Sequence, residues 1–94
     1  MDRNGYNDSL FPADRCFCCG KQGELVRHEV FHGPLRSKSK QYGCWVTLCV
    51  RCHQDLHSHP AAYRWLTEET QRTAMERYRW TKDDFHAVFG KSFI

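Results

Sequence analysis

The chain predicts a small α+β domain, a ββα unit closed by a four-cysteine metal centre and followed by C-terminal helices. Three observations carry that expectation. Cys16-x-x-Cys19 and Cys49-x-x-Cys52 have the spacing of paired metal ligands. Between the pairs lie two segments, 25–31 and 42–48, rich in β-branched and aromatic residues. From residue 50 onward the apolar spacing becomes helical.

The elements follow in order. Residues 1–14, rich in Asn and Asp with Pro12 near the end, read as a loosely ordered lead-in. Cys16-Phe-Cys-Cys19-Gly20 is a tight turn, with glycine relieving the backbone after the second ligand. Residues 25–31 alternate as a strand. Residues 32–41 are polar and basic, broken by Gly33 and Pro34, and predict a long loop. Residues 42–48 form the second strand, and a short helix over 50–57 stops before Pro60. A helix over 61–79 places Ala62, Trp65, Leu66, Ala74, Met75 and Tyr78 at helical spacing, with a polar gap over 68–73. Thr81 and Asp84 have the spacing of a capping box, so a last helix spans 82–89 and ends at Gly90. Trp65, Tyr78, Trp80, Phe85 and Phe89 are packing residues on this reading. One domain therefore covers 15–94, with knuckle and ββα core over 15–59 and C-terminal helices over 61–90.

At 94 residues the chain has little capacity to bury apolar surface, and such domains rely on a staple. Six cysteines could supply disulfides. The start of the chain is polar, without the apolar stretch of a secretory signal, and no segment has the length of a membrane span. A cytoplasmic location is the expectation. Thiols stay reduced there, which favours metal over disulfides. Cys18 and Cys44 fall outside the pairs and read as small buried hydrophobes.

The second cysteine pair runs into Cys52-His53-Gln-Asp-Leu-His57. On a helix, His53 and His57 share a face and can grip one ion. Two metal sites follow, one closed by four thiolates and one open to solvent. The net charge of +3 is mild, but its distribution is uneven. Arg27, His28, His32, Arg36, Lys38 and Lys40 fall within one stretch opposed only by Glu29, while acidic residues gather in the C-terminal third. Beside a metal cluster, such a stretch suits phosphate.

Together, Cys16-x-x-Cys19, Leu25-Val-Arg-His28-Glu29-Val-Phe31 and Leu48-Cys49-x-x-Cys52-His53-x-x-x-His57 resemble an HNH (ββα-metal, His-Me finger) endonuclease with an embedded zinc knuckle. The segment from His28 through Arg36, Ser39, Tyr42-Gly43 and Leu48-Cys49, with the tail from Ala74 to Tyr78 and from Asp84-Phe85 to Phe89-Gly90-Lys91, is similar to the small phage-type branch that includes RecA-dependent recombination-enhancement nucleases, which implies a bacterial host. The resemblance covers 16–94.

It implies a structural Zn²⁺ on Cys16, Cys19, Cys49 and Cys52. It further implies a catalytic cation on His28, His53 and His57, with Mg²⁺ or Mn²⁺ foremost and Zn²⁺ or Ni²⁺ also suited to imidazole. Glu29 falls at the general-base position, where histidine is usual. Either Glu29 or His28 then takes the proton, or His32 swings in from the loop. The middle Asn of the family pattern would fall near Cys44, where there is none. The implied activity is metal-dependent hydrolysis of DNA leaving a 5′ phosphate, with Arg36, Lys38 and Lys40 on flanking phosphates. A zinc-stapled DNA-binding module without catalysis and an adaptor docking a recombinase filament are the alternatives.

Overall fold

A computed structural model describes residues 6–11 and 14–94. Strand β1 (Leu25–Glu29) pairs antiparallel with β2 (Trp45–Cys49), and helix α1 (Arg36–Gln41) lies between them in the chain. Helix α2 (Val50–Ser58) follows β2 directly and packs against both strands. Helices α3 (Arg64–Tyr78) and α4 (Lys82–Phe89) complete a small α+β fold with a two-stranded sheet. Among the described residues no helix is long and apolar enough to cross a membrane.

Register decides which side chains face the core. Leu25 opposes Cys49, Arg27 opposes Thr47 and Glu29 opposes Trp45, while Val26 and His28 oppose Leu48 and Val46. Because successive strand residues alternate in direction, Val26, His28, Val46 and Leu48 share one face and Arg27, Glu29, Trp45 and Thr47 the other. Val46 and Leu48 are fully buried. Next to them, Phe31 stacks with Phe93 at 4.7 Å and meets Phe89 at 4.9 Å and Phe85 at 5.5 Å, which fastens α4 to the end of β1. Each fully buried phenyl ring contributes about 1.5–3 kcal/mol of hydrophobic stabilisation.

The segment expected as a loop is a 3-10 turn (Gly33–Leu35) leading into α1. Tertiary hydrogen bonds hold it there. Ser39, fully buried on α1, donates to the Phe31 carbonyl at 2.5 Å and accepts from the Phe31 amide at 3.1 Å. Residues 6–11 of the expected loose lead-in are also fastened. The Asn7 amide donates to Lys40 O and the Leu10 amide to Gly43 O, both at 2.9 Å, and Trp45 Nε1 donates to Asn7 O at 2.7 Å. Residues 1–5, 12 and 13 of that lead-in lie outside the described residues.

Two residues of the polar gap in α3 are buried. Thr70 and Gln71 are fully inside. Thr70 bonds back to Leu66 O at 2.7 Å, and Gln71 binds the C-terminal tail through Ser92 Oγ at 2.9 Å and the Phe93 amide at 2.6 Å. Pairing to the tail satisfies the amide, so α3 holds its inner face without a continuous apolar stripe. Of the expected packing aromatics, Phe85 and Phe89 are buried and Trp80 half-buried, whereas Trp65 and Tyr78 stay exposed. Helix α4 begins as its sequence predicts, with the Thr81 side chain accepting from the Asp84 amide and Asp84 accepting from the Thr81 amide.

Candidate metal centres

The first centre is built by two turns that meet over the end of the sheet. In the 16–20 turn, the Gly20 amide donates to Cys16 O at 2.8 Å with Gly20 at φ +77, and the Phe17 amide pins the turn to Thr47 O at 2.9 Å. On the other side, Cys49 ends β2 and caps α2, its Sγ accepting from the Cys52 amide at 3.4 Å. The four Sγ atoms of Cys16, Cys19, Cys49 and Cys52 lie within 4.8 Å of one another, and Cys19 and Cys49 are 3.8 Å apart. Sulfurs on one tetrahedral zinc at ~2.3 Å are separated by about 3.8 Å, so this donor set can hold a metal ion and suits zinc.

Electrostatics lowers two of these thiols, Cys16 and Cys49, whereas burial and the neighbouring cysteines raise Cys52. Burial disfavours a Cys16 thiolate, but hydrogen bonds with the backbone at Cys49, Cys19 and Cys18 outweigh it and bring its pKa down to about 6. The Cys52 amide at the start of α2 likewise lowers Cys49. Cys18 is pushed up to about 11 by burial and by the neighbouring cysteines, and Cys44, fully buried, up to about 12. Those two remain neutral thiols. All six cysteines are free of disulfides.

The second centre sits one turn further along α2. His53 and His57 project from one helical face, with their Nε2 atoms 3.1 Å apart. Two nitrogens on one ion at ~2.1 Å lie roughly 3–3.4 Å apart. His28 comes from the inner face of β1, its ring 5.4 Å from His53 and 5.7 Å from His57. The three imidazoles form a cluster in which His28 is buried, His53 half-buried and His57 exposed. Burial, then the charges of His53, His57 and His32, push the His28 pKa down to about 4. Burial also lowers His53. Neutral imidazole is the form that can bind metal, and His28 is in that form at neutral pH. His59 follows the end of α2 and stands apart from the cluster.

Glu29 is next to His28 in sequence but on the opposite face of β1. It is 8% exposed, accepts from Arg36 Nη2 at 3.2 Å and is hydrogen-bonded by the Tyr6 hydroxyl. Burial works to raise its pKa, but a backbone hydrogen bond, Tyr6 and Arg36 together hold it below its ordinary value. Its charge nevertheless reaches His28 and His53, where it offsets a small part of the lowering. Tyr6 is the residue of this site that sequence reasoning missed. An aromatic ring in a polar lead-in was the sole signal, and its partner lies far along the chain.

The three basic residues expected on phosphate do not lie on one face. Helical geometry puts Arg36 and Lys40 on one face of α1 and turns Lys38 away. Arg36 is exposed beside Glu29, and Lys40 lies 5.1 Å from the Tyr6 ring centroid. Lys38 instead donates to Val88 O near the end of α4 at 2.5 Å, where it complements the helix dipole. Arg27 lies 4.4 Å from the Tyr6 ring and 5.1 Å from that of Trp45, extending the same outer face. Compared with protein-family models, with curated proteins and with solved structures, the chain matches none.

Proposed function

We propose that the protein is a metal-dependent DNA endonuclease of the HNH type, with a structural zinc on the four cysteines and a catalytic divalent cation on His28, His53 and His57. One observation carries this reading. Three imidazoles from β1 and α2 converge beside a separate four-thiolate centre that fixes the start of the same helix. A cation held by the imidazoles would stabilise the pentavalent phosphate and the departing 3′ oxygen. Soft thiolates suit zinc, whereas imidazole with open positions accepts Mg²⁺, Mn²⁺ or a softer ion. Arg36 and Lys40 neutralise neighbouring phosphates on one side of α1.

Glu29 is the proton acceptor on this reading. It ends β1 at the position next to the buried ligand, is ionised at neutral pH, and has its carboxylate oriented by Tyr6 and Arg36. One observation favours His32 instead. Glu29 points away from the imidazole face, while the His32 ring stands 6.4 Å from that of His28.

Plasmid nicking with Mg²⁺ or Mn²⁺ tests the whole. His53→Ala should abolish nicking while leaving zinc content and helicity intact. Glu29→Gln should lower kcat by about 10² or more with DNA affinity unchanged. His32→Ala should leave kcat nearly unchanged. Loss of activity in the His32 variant alone would reassign the base. Full activity in His53→Ala would overturn the cation assignment to this cluster, and absence of nicking by the unaltered protein would remove the nuclease reading.

A further inference from the structure

Beside the imidazole cluster lies a cleft of about 390 Å³ that shares His28 with it. Its floor is apolar, formed by the buried Val30, Phe31, Leu56 and Leu66. Half-buried Tyr63, Thr67 and Phe93 form its walls, and exposed His32 and Arg64 stand at its rim. The walls are held in place. Tyr63 donates to Asp55 at 2.5 Å, and Phe93 stacks on Phe31 at 4.7 Å with its amide bound to Gln71. A volume near 390 Å³ falls within the range of small-molecule sites, about 300–1,000 Å³.

We infer that this cleft receives an unpaired nucleobase flanking the phosphate held at the imidazole cluster, so that the protein acts on single-stranded or locally unpaired DNA. The inference rests on the nuclease reading for the phosphate and adds the substrate class. The occupant follows from continuity and charge. His28 belongs to both sites, so a phosphate anchored at the imidazoles delivers its adjoining nucleoside to the cleft mouth. Arg64 and His32 face the anionic backbone there. The aromatic walls and apolar floor suit the faces of a planar base, and Thr67 offers a hydroxyl to its edge. A base stacked within a duplex cannot enter without leaving the stack, which makes unpaired strands the preferred substrate.

The test uses the zinc-loaded protein with Mn²⁺ and labelled oligonucleotides of one sequence. These are presented as single strand, as duplex, and as single strands carrying one abasic residue at successive positions. Binding and cleavage are measured separately. Single strand should be bound and cut at least tenfold better than duplex, and one abasic position beside the cut should remove that advantage. Thr67→Trp narrows the cleft from its wall and should do the same. Ala61→Trp does so from an exposed lining position, where folding is not at stake. Equal cutting of single strand, duplex and abasic strands would overturn the cleft assignment and leave the nuclease reading standing. Base-dependent binding without cutting would support the cleft and remove the nuclease. Neither binding preference nor cutting would overturn both.

Discussion

Gly43 shows how one residue can hold the N-terminal segment in place. It adopts φ +73, and a Cβ there would come within 2.2 Å of the Asp8 carbonyl oxygen, a backbone atom with no side-chain freedom to yield. Left-handed strain in a non-glycine residue costs roughly 1–2 kcal/mol before any clash. Gly43→Ala should therefore destabilise the fold by about 2 kcal/mol or more. It should also release residues 6–10, seen as lost hydrogen-exchange protection at the Leu10 amide, which donates to Gly43 O. Unchanged protection would mean the segment is not anchored there. Release would free Tyr6 as well, leaving Glu29 with Arg36 as its remaining side-chain hydrogen-bond partner in the site.

At the scale of elements, α3 ends in an uncommon way. Arg79 caps it at φ 56 and ψ 43, and the Trp80 amide reaches back to Met75 O at 2.8 Å. That six-to-one bond is the Schellman pattern, which glycine normally supplies because it lacks the Cβ penalty. Arg79→Gly should raise stability by about 1 kcal/mol and the melting temperature by a few degrees. A lower melting temperature would show that the arginine stem contributes packing that outweighs the strain. Helix α1 has a different lesson. Its residues are polar and basic, yet buried Ser39 ties it to the end of β1. Helical geometry then separates Arg36 and Lys40 from Lys38.

For the molecule as a whole, α2 is the common support of both centres. Cys49 and Cys52 stand at its first turn and His53 and His57 follow on the next, so ordering of the helix start fixes the imidazoles. Metal binding in so small a domain is folding free energy. Protein prepared without added zinc should carry about one tightly held equivalent. Stripping it with a strong chelator, or changing all four ligand cysteines to serine, should abolish the cooperative thermal transition. Added Mg²⁺ or Mn²⁺ should not restore it. A cooperative transition that survives zinc removal would show that the aromatic core alone sustains the fold.

The cysteine pairs, the helix carrying His53 and His57, and the capped α4 were legible in the sequence, because each is a local pattern of spacing that holds wherever the segment sits. The limits of β1 and β2 shifted by a few residues, since strand ends depend on pairing. Other features depended on distant partners. His28 joins His53 and His57 because the β1–β2 register turns it inward under α2. The same alternation sends Glu29 outward to Tyr6 and Arg36, which no local pattern relates to it. Ser39 makes a helix of a segment punctuated like a loop, and Gln71 fills an apparent gap in α3 by binding the tail. Spacing along one element is a property of the sequence alone. The face a strand residue takes, and the partner that satisfies a buried polar group, arise only when separate elements pack.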